Sequence, residues 1–141
     1  MAQIRLPLLP TWARWLAVVA VAVIIFYASV VVVPPSEPVV PGKPDFVPLD
    51  KWRHFLAYAG FAGTLAYATT DWERPRWQIA AVVVGTAVAF GIGVEFAQAQ
   101  VPYRYFSVED AYANALGGLL VTPLLRLQRH VEWVGVTELS P

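Results

Sequence analysis

Long apolar runs limit the possible folds of this chain more than any other feature of its sequence. The first run, at about 12–33, reaches roughly 33 Å as a helix, which is enough to cross the hydrocarbon core of a bilayer. Hydrophobic residues make up 57% of the chain and charged residues only 14%, whereas a soluble domain carries about 25% charged residues. The sequence therefore predicts a membrane protein.

Prolines and short polar segments divide the apolar sequence into four predicted helices. The proline-rich segment 34–49 cannot be helical, because each proline lacks a backbone donor and clashes with the preceding turn. Asp50 and Ser107 each precede an apolar run and are residue types that cap helix N-termini. We therefore expect an all-α fold, a four-transmembrane-helix bundle in a single domain over 1–141, with helices at about 12–33, 51–70, 75–99 and 108–127.

Basic residues predict how these helices are oriented. If the N-terminus is inside, six arginines face the cytoplasm and four basic residues face outward, and cytoplasmic loops are the ones enriched in such residues. We therefore expect a multi-pass protein of the cell membrane with both termini in the cytoplasm and the 34–49 loop outside. Arg5 and Arg14 also suggest a signal peptide, but the following run is long for one and lacks a small-residue cleavage site, which favours a retained helix.

The composition excludes several classes of function. A formal net charge of zero argues against a nucleic-acid surface. The absence of cysteine excludes disulfides, thiolate catalysis and cysteine zinc sites. The lipid bilayer is the partner that the sequence supports, and the sequence identifies no cofactor.

Polar residues interrupt the apolar pattern where the predicted helices begin or end on the outer face. Asp50, His54 and Tyr58 are spaced by four, so they share one face of the second helix. Ionisable residues at membrane depth are costly and by default indicate a functional site. We expect an outward-facing polar cup lined by Asp50, His54, Glu95, Gln98, Arg104, Asp110 and Asn114.

Glu95 is the polar residue that a purely structural role explains least well. It ends a long apolar run, where neither desolvation nor the helix dipole favours an anion, so it needs a partner, for which Arg104 or His54 could serve. We name Glu95, His54 and Asp110 as candidate catalytic residues for proton transfer. Arg104 would bind an anionic headgroup, because a guanidinium suits phosphate or carboxylate. The other candidate substrate-binding residues are Asp50, Tyr58, Gln98, Ser107 and Asn114.

Structural alternatives exist for several of these residues. Asp50 can serve only as a helix cap, and Ser107 with Asp110 fits a capping box. Lys51 and Arg53 can be anchors whose side chains extend to the membrane interface. A histidine and carboxylates can bind zinc or manganese, but no closely spaced ligand motif is present, so we expect no metal.

The order and spacing of the polar residues resemble the VanZ-like family of small integral membrane proteins. The resemblance covers about 50–120 and departs from the family at Pro102-Tyr103, where relatives often have a glycine before the arginine. The namesake of the family is associated with resistance to teicoplanin, a glycopeptide antibiotic that acts on the cell wall, and the resemblance implies no settled mechanism. It rests on Asp50-Lys51-x-x-His54-Phe55-x-x-Tyr58, Glu95-x-x-Gln98 and Arg104-x-x-Ser107-x-x-Asp110-x-x-x-Asn114-x-x-Gly117.

Two classes of function follow from this sequence. The first is a site that binds or modifies an anionic, lipid-linked or cell-envelope substrate. The second is a non-catalytic membrane module that assists or recruits envelope partners. A transporter is less favoured, because the predicted helices carry no midplane charge and show no inverted repeat. The sequence does not decide whether the protein is an enzyme.

Overall fold

The computed structural model describes residues 4–33 and 49–136, so the predicted proline-rich loop lies outside the described residues except at its last position. The described chain is mostly helical, as the apolar runs predict. Its helices are α1 (Thr11–Phe26, continued by a π-helical turn, Tyr27–Val31), α2 (Leu49–Ala68), α3 (Arg76–Gln98), α4 (Val108–Leu119) and α5 (Val121–Leu127, followed by a 3₁₀ turn, Gln128–His130), and two short strands are β1 (Ile4–Leu8) and β2 (Val131–Gly135).

The central helix of the bundle is α2, which packs against α1, α3 and α4. Phe61 and Leu65 of α2 and Val83 of α3 belong to the buried apolar core between these helices. Apolar side chains also cover the outside of the bundle, and on α1 both Val23 and Ile24 are at least 60% exposed. Exposed apolar surface of this extent is typical of a protein that faces lipid or another protein.

Two helical segments are long and apolar enough to cross a membrane. They are Thr11–Val31, which includes the π-helical turn, and Arg76–Gln98. The 20 residues of α2 are less apolar, because Asp50, Lys51 and Arg53 lie in its first turns. These two segments correspond to the first and third helices that the sequence predicts.

The predicted helix 108–127 is interrupted at Leu120, where α4 ends and α5 begins. Pro123 has no N–H to donate to the Leu119 carbonyl one turn earlier. The Thr122 hydroxyl donates to that carbonyl instead, at 2.9 Å. Asp50 also differs from its predicted place, because α2 begins at Leu49 and Asp50 therefore lies in the first turn rather than at the N-cap.

A two-stranded parallel sheet joins β1 to β2, and no strand was predicted in either segment. Ile4 pairs with Val131 in the register, and the Arg5 Nε atom lies 3.3 Å from Glu132 Oε2. The Tyr67 hydroxyl of α2 donates to the Pro7 carbonyl at 3.1 Å and accepts from the backbone N–H of Leu9 at 3.0 Å. The sheet is therefore attached to the C-terminal end of α2.

Buried Arg14 ties α1 to that same end of α2. Its Nη1 donates to the Ala68 carbonyl and to Asp71 Oδ1, each at 3.0 Å, and its Nη2 donates to Asp71 Oδ2 at 2.5 Å. A bidentate pair of this kind fixes orientation as well as adding energy. The hydrogen bonds from the Arg14 guanidinium lower the pKa of Asp71 below its usual 3.8.

The closest helix contact joins α4 to α2 at Gly117. A Cβ atom at this position would lie 2.2 Å from the Phe55 carbonyl oxygen and 3.0 Å from the Ala59 backbone nitrogen. Small residues let helix backbones approach in this way. By contrast, a Cβ at Gly63 or Gly85 would meet no atom within 4 Å. This contact joins the C-terminal half of α4 to the N-terminal half of α2, and the polar residues lie toward the N-termini of both helices.

Candidate functional site

The N-terminus of α4 is capped by two side chains from different helices. Ser107 is its N-cap, as predicted, and the Ser107 Oγ accepts a hydrogen bond from the Asp110 N–H at 3.2 Å. In a complete capping box the acidic side chain of the box would accept from the Ser107 N–H in return. Glu95 of α3 takes that place, since its Oε2 accepts from the Ser107 N–H at 3.1 Å. The Asp110 carboxylate is therefore available to other partners.

His54 lies between the carboxylates of α3 and α4. Its Nδ1 is 3.0 Å from Asn114 Oδ1 and 4.0 Å from Glu95 Oε1, while its Nε2 is 3.8 Å from Asp110 Oδ2. The sequence left Arg104 and His54 as alternative partners of Glu95, and the structure places the His54 ring 4.0 Å from its carboxylate. The two ring nitrogens face different acids, so the imidazole is placed to exchange a proton with either after a small approach.

Lys51 provides the cation for Asp110. The Lys51 Nζ atom lies 2.5 Å from Asp110 Oδ1, 3.2 Å from Asp50 Oδ2 and 3.5 Å from Ser107 Oγ. The sequence interpretation of Lys51 as an interface anchor omitted this role. Lys51 thus joins the first turn of α2 to the first turn of α4 and leaves the other Asp110 oxygen facing His54.

Several buried polar atoms at this end of the bundle make no well-formed hydrogen bond. They include Glu95 Oε1, Asn114 Nδ2, the Tyr58 hydroxyl and Arg104 Nε. Glu95 is fully buried, and the Asn114 side chain is near enough to interact with its carboxylate. Buried polar groups are normally paired, so atoms of this kind indicate a place where a ligand can bind.

A cleft of about 660 Å³ lies between the C-terminal part of α1 with its π-helical turn and the N-terminal half of α2. Ile25, Ala28 and Ala57 contribute to an apolar wall. Asp50, His54 and Arg104 contribute the polar residues. The cleft therefore offers both a charged end and an apolar wall to a bound molecule.

Arg104 reaches this cleft from the segment between α3 and α4. Its Nη2 donates to the Val32 carbonyl at 3.1 Å, next to the π-helical turn. Tyr103, the preceding residue, donates from its hydroxyl to the carbonyls of Val30 and Val31, each at 3.2 Å. These bonds hold the α3–α4 segment against the end of α1 and fix the guanidinium at the edge of the cleft.

The nine predicted site residues are divided into two groups by the fold. Four of them line the cleft, and four others form a connected polar group next to His54. Gln98 belongs to neither group, because its Nε2 donates to the Ser29 carbonyl at 3.0 Å and so joins α3 to the π-helical turn. The cleft residues are Asp50, His54, Tyr58 and Arg104, and the polar group consists of Glu95, Ser107, Asp110 and Asn114.

The wall contributed by α1 is the part of the site that sequence reasoning missed. Ile24, Ile25 and Ala28 line the cleft, but nothing distinguishes them from the rest of an apolar run. Ser29, which also lines the cleft, is the one polar residue near the end of this run and was the available signal. Arg53 is a further cleft residue that the sequence interpretation assigned to the membrane interface.

His54, Glu95 and Asp110 are the described residues that could hold a metal ion. One ligand atom from each lies within 4.8 Å of the ligand atoms of the other two. The three residues are widely separated in sequence, which is why no ligand motif was visible there.

No family model matches the chain, and no curated protein and no solved structure matches it either.

Proposed function

We propose that this chain is a multi-pass membrane protein of the VanZ-like type, which binds an anionic, lipid-linked molecule of the cell envelope in the cleft between α1 and α2. The observation that carries the proposal is the combination of Arg104 with an apolar wall in a single cleft of about 660 Å³. Ligand pockets of such a volume are usual for molecules of lipid or drug size.

Arg104 supports binding of an anionic headgroup. Its Nη2 is held by the Val32 carbonyl, while its buried Nε has no hydrogen-bond partner. A guanidinium presents several donors in a rigid plane, and it matches phosphate and carboxylate better than an ammonium does. His54 lines the same cleft and offers a further polar contact.

The apolar wall supports a lipid chain attached to that headgroup. Ile24 and Ile25 of α1 line the cleft, and Ile24 is 65% exposed on the outside of the bundle. An acyl or prenyl chain that lies against this wall would remove apolar surface from water or exchange it for lipid contacts, at about 25 cal/mol per Å² of area removed from water. A purely soluble anion would gain nothing from this surface.

The proposed topology has four spans, with α4 and α5 together forming the fourth. Both termini are then cytoplasmic, and the cleft and the N-terminus of α4 face outward. The arginine bias of the sequence supports this orientation. An outward-facing site suits the envelope role implied by the VanZ-like resemblance, whose namesake is associated with teicoplanin resistance.

A chemical step on the bound molecule would use His54, since it is the candidate proton-transfer residue that lines the cleft. Glu95 and Asp110 would act through the imidazole, because they lie on its two sides at 4.0 and 3.8 Å. The three candidate catalytic residues would then have different roles. His54 would contact the substrate, and the two acids would orient its ring and exchange protons with it.

Lipid mass spectrometry tests the binding proposal. Wild type, Arg104→Gln and Arg126→Gln are purified in mild detergent from the same membranes, Arg126 being an exposed arginine on α5 that serves as the matched control. We expect an anionic lipid to co-purify with wild type and the control and to fall at least tenfold in Arg104→Gln. Equal lipid in all three proteins, at equal folded yield, would exclude a headgroup role for Arg104.

The alternative is a non-catalytic module that assists or recruits envelope partners. The bond from Ser107 to Glu95 and the contact of Lys51 with Asp110 favour it, because both join helices and so stabilise the bundle. Folded abundance separates the two proposals. A Glu95→Gln protein that folds and binds lipid but no longer gives the wild-type cellular phenotype supports a functional site. A Glu95→Gln protein of reduced abundance supports a structural role for Glu95.

A further inference from the structure

We propose that His54, Glu95 and Asp110 form a binding site for a divalent transition-metal cation of the Zn²⁺ or Mn²⁺ type. The inference goes beyond the lipid cleft, because it concerns a different ligand and does not require Arg104. It also revises the expectation from the sequence that no metal is bound.

Glu95 provides the first argument. The side chain is fully buried, and its well-formed hydrogen bond is the one that Oε2 accepts from the Ser107 N–H, with the Asn114 side chain also near the carboxylate. Oε1 points to the His54 ring, 4.0 Å from Nδ1, and accepts no well-formed hydrogen bond. A buried carboxylate oxygen without a donor or cation is costly, and coordination to a metal would satisfy it.

The geometry of the three ligands provides the second argument. One ligand atom from each of the three residues lies within 4.8 Å of the other two. Ligands bound to one zinc at about 2.0–2.2 Å are separated from one another by roughly 3–4 Å. Side-chain movements of the order of an ångström would therefore bring this set to bonding distance, and the helices need not move.

The charges around the cluster provide the third argument. Lys51 Nζ contacts Asp110 Oδ1 at 2.5 Å, whereas Asp110 Oδ2 faces His54 Nε2 at 3.8 Å. Lys51 Nζ also lies 3.2 Å from Asp50 Oδ2, so two carboxylates share this one ammonium. A cation at the cluster would add positive charge beside the carboxylates of Glu95 and Asp110.

The donor types indicate which cation fits. An imidazole with two carboxylates suits zinc, manganese or iron, whereas calcium and magnesium prefer oxygen ligands alone. Asn114 Oδ1, 3.0 Å from His54 Nδ1, is a further oxygen donor beside the ring. The competing explanation is an ion-pair network in which His54 is held between two acids with no metal.

Metal titration of purified protein separates these explanations. The chain is expressed with a tag that contains no histidine, stripped with chelator and titrated with ZnCl₂ in detergent by calorimetry. We expect one equivalent to bind wild type and binding to weaken at least tenfold in His54→Gln and Asp110→Asn. His130→Gln is the matched control, because His130 is the other histidine of the chain and lies at the end of the 3₁₀ turn before β2.

A second measurement uses wild type and the His130→Gln control, and does not depend on whether the variants of the proposed ligands fold. The two histidines give two sets of imidazole signals in NMR spectra, and bound Mn²⁺ broadens the signals of nearby nuclei. Selective broadening of the set that His130→Gln leaves in place supports the site. Absence of broadening, or equal broadening of both sets, would overturn it, as would zinc binding that is unchanged in His54→Gln.

Failure of this proposal and failure of the lipid proposal give different results. Arg104→Gln should lose lipid and retain zinc, because Arg104 contacts none of the three proposed ligands in the described structure. A wild-type protein that binds lipid but not zinc therefore rejects the metal site and leaves the lipid cleft.

Discussion

Glu95 of α3 completes the N-terminal cap of α4 by accepting the hydrogen bond of the Ser107 N–H at 3.1 Å. The acid that seemed out of place at the end of an apolar helix thus lies at the N-terminus of another helix, where the dipole favours an anion. One carboxylate oxygen of Glu95, Oε2, therefore has a structural role, and the other, Oε1, faces His54.

Replacing Glu95 should distinguish the contribution that its hydrogen bond makes to stability from the contribution of its charge. Glu95→Ala leaves a buried N–H without an acceptor, and we expect the free energy of unfolding to fall by about 1–3 kcal/mol. Glu95→Gln retains an amide oxygen that can accept the same bond, so its loss should be smaller. Thermal unfolding in detergent, followed by circular dichroism, measures both. Equal losses would mean that the charge of Glu95, and not its hydrogen bond, stabilises α4.

Gly117→Ala should destabilise the contact between α2 and α4. The added methyl group would lie 2.2 Å from the Phe55 carbonyl, so the helices must separate, at a cost of about 1–3 kcal/mol or more. Gly63→Ala is the control, because a Cβ there meets no atom within 4 Å and alanine is the better helix former. Denaturation of both variants in the same detergent tests this, and a Gly117→Ala protein as stable as Gly63→Ala would refute the close approach.

Lys51 and Asp110 should be energetically coupled. A double-mutant cycle with Lys51→Met and Asp110→Asn should give an interaction energy in the range of about 0.5–3 kcal/mol, since both side chains are largely buried. The exposed pair Arg5 and Glu132 is the internal comparison, with an expected coupling of about 0–1 kcal/mol. Couplings of equal size would show that burial does not strengthen the Lys51 pair.

Acid should weaken the attachment of α1 to α2. The pKa of Asp71 is lower in the folded chain than its usual 3.8, so its contribution to stability is complete well above that pH and is lost as the pH falls through the folded pKa. We expect wild type to lose more stability between pH 6 and pH 3 than Asp71→Asn does. Glu73→Gln, an exposed neighbour, should follow the wild-type profile. Parallel profiles for wild type and Asp71→Asn would contradict the coupling to Arg14.

Cysteine labelling should report the orientation in the membrane. The chain has no cysteine, so a single introduced cysteine gives no background. Tyr105→Cys lies between α3 and α4 at a position that is 82% exposed, and an impermeant maleimide should label it on intact cells. Arg74→Cys, in the turn between α2 and α3, should react only after permeabilisation. The reverse pattern would place the cleft on the cytoplasmic side.

Local signals predicted the helical part of this fold well. Ser107 caps α4 because a hydroxyl before an apolar run is itself the cap, and the predicted break between helices 51–70 and 75–99 lies at the turn between α2 and α3. The error at 108–127 was also local, because Pro123 in that run removes a donor and interrupts the helix at Leu120.

Contacts between distant segments could not be predicted in the same way. Arg14 was interpreted as a flanking charge, although it binds Asp71 at the far end of α2. The β1–β2 pairing likewise depends on segments at opposite ends of the sequence, and each is too short to show a strand pattern by itself. Lys51 was interpreted from its position near the membrane interface, since its partner Asp110 belongs to another helix.

The parallel pairing of β1 with β2 imposes an order on biosynthesis. A ribosome releases β1 first, but its partner strand is completed only after every helix that the structure describes has been translated. Until Val131–Gly135 has been synthesised, the backbone donors and acceptors of β1 bind water or a chaperone. The sheet therefore cannot close before the described helices have been made, and in a chain stalled before β2 the first strand would lack its partner.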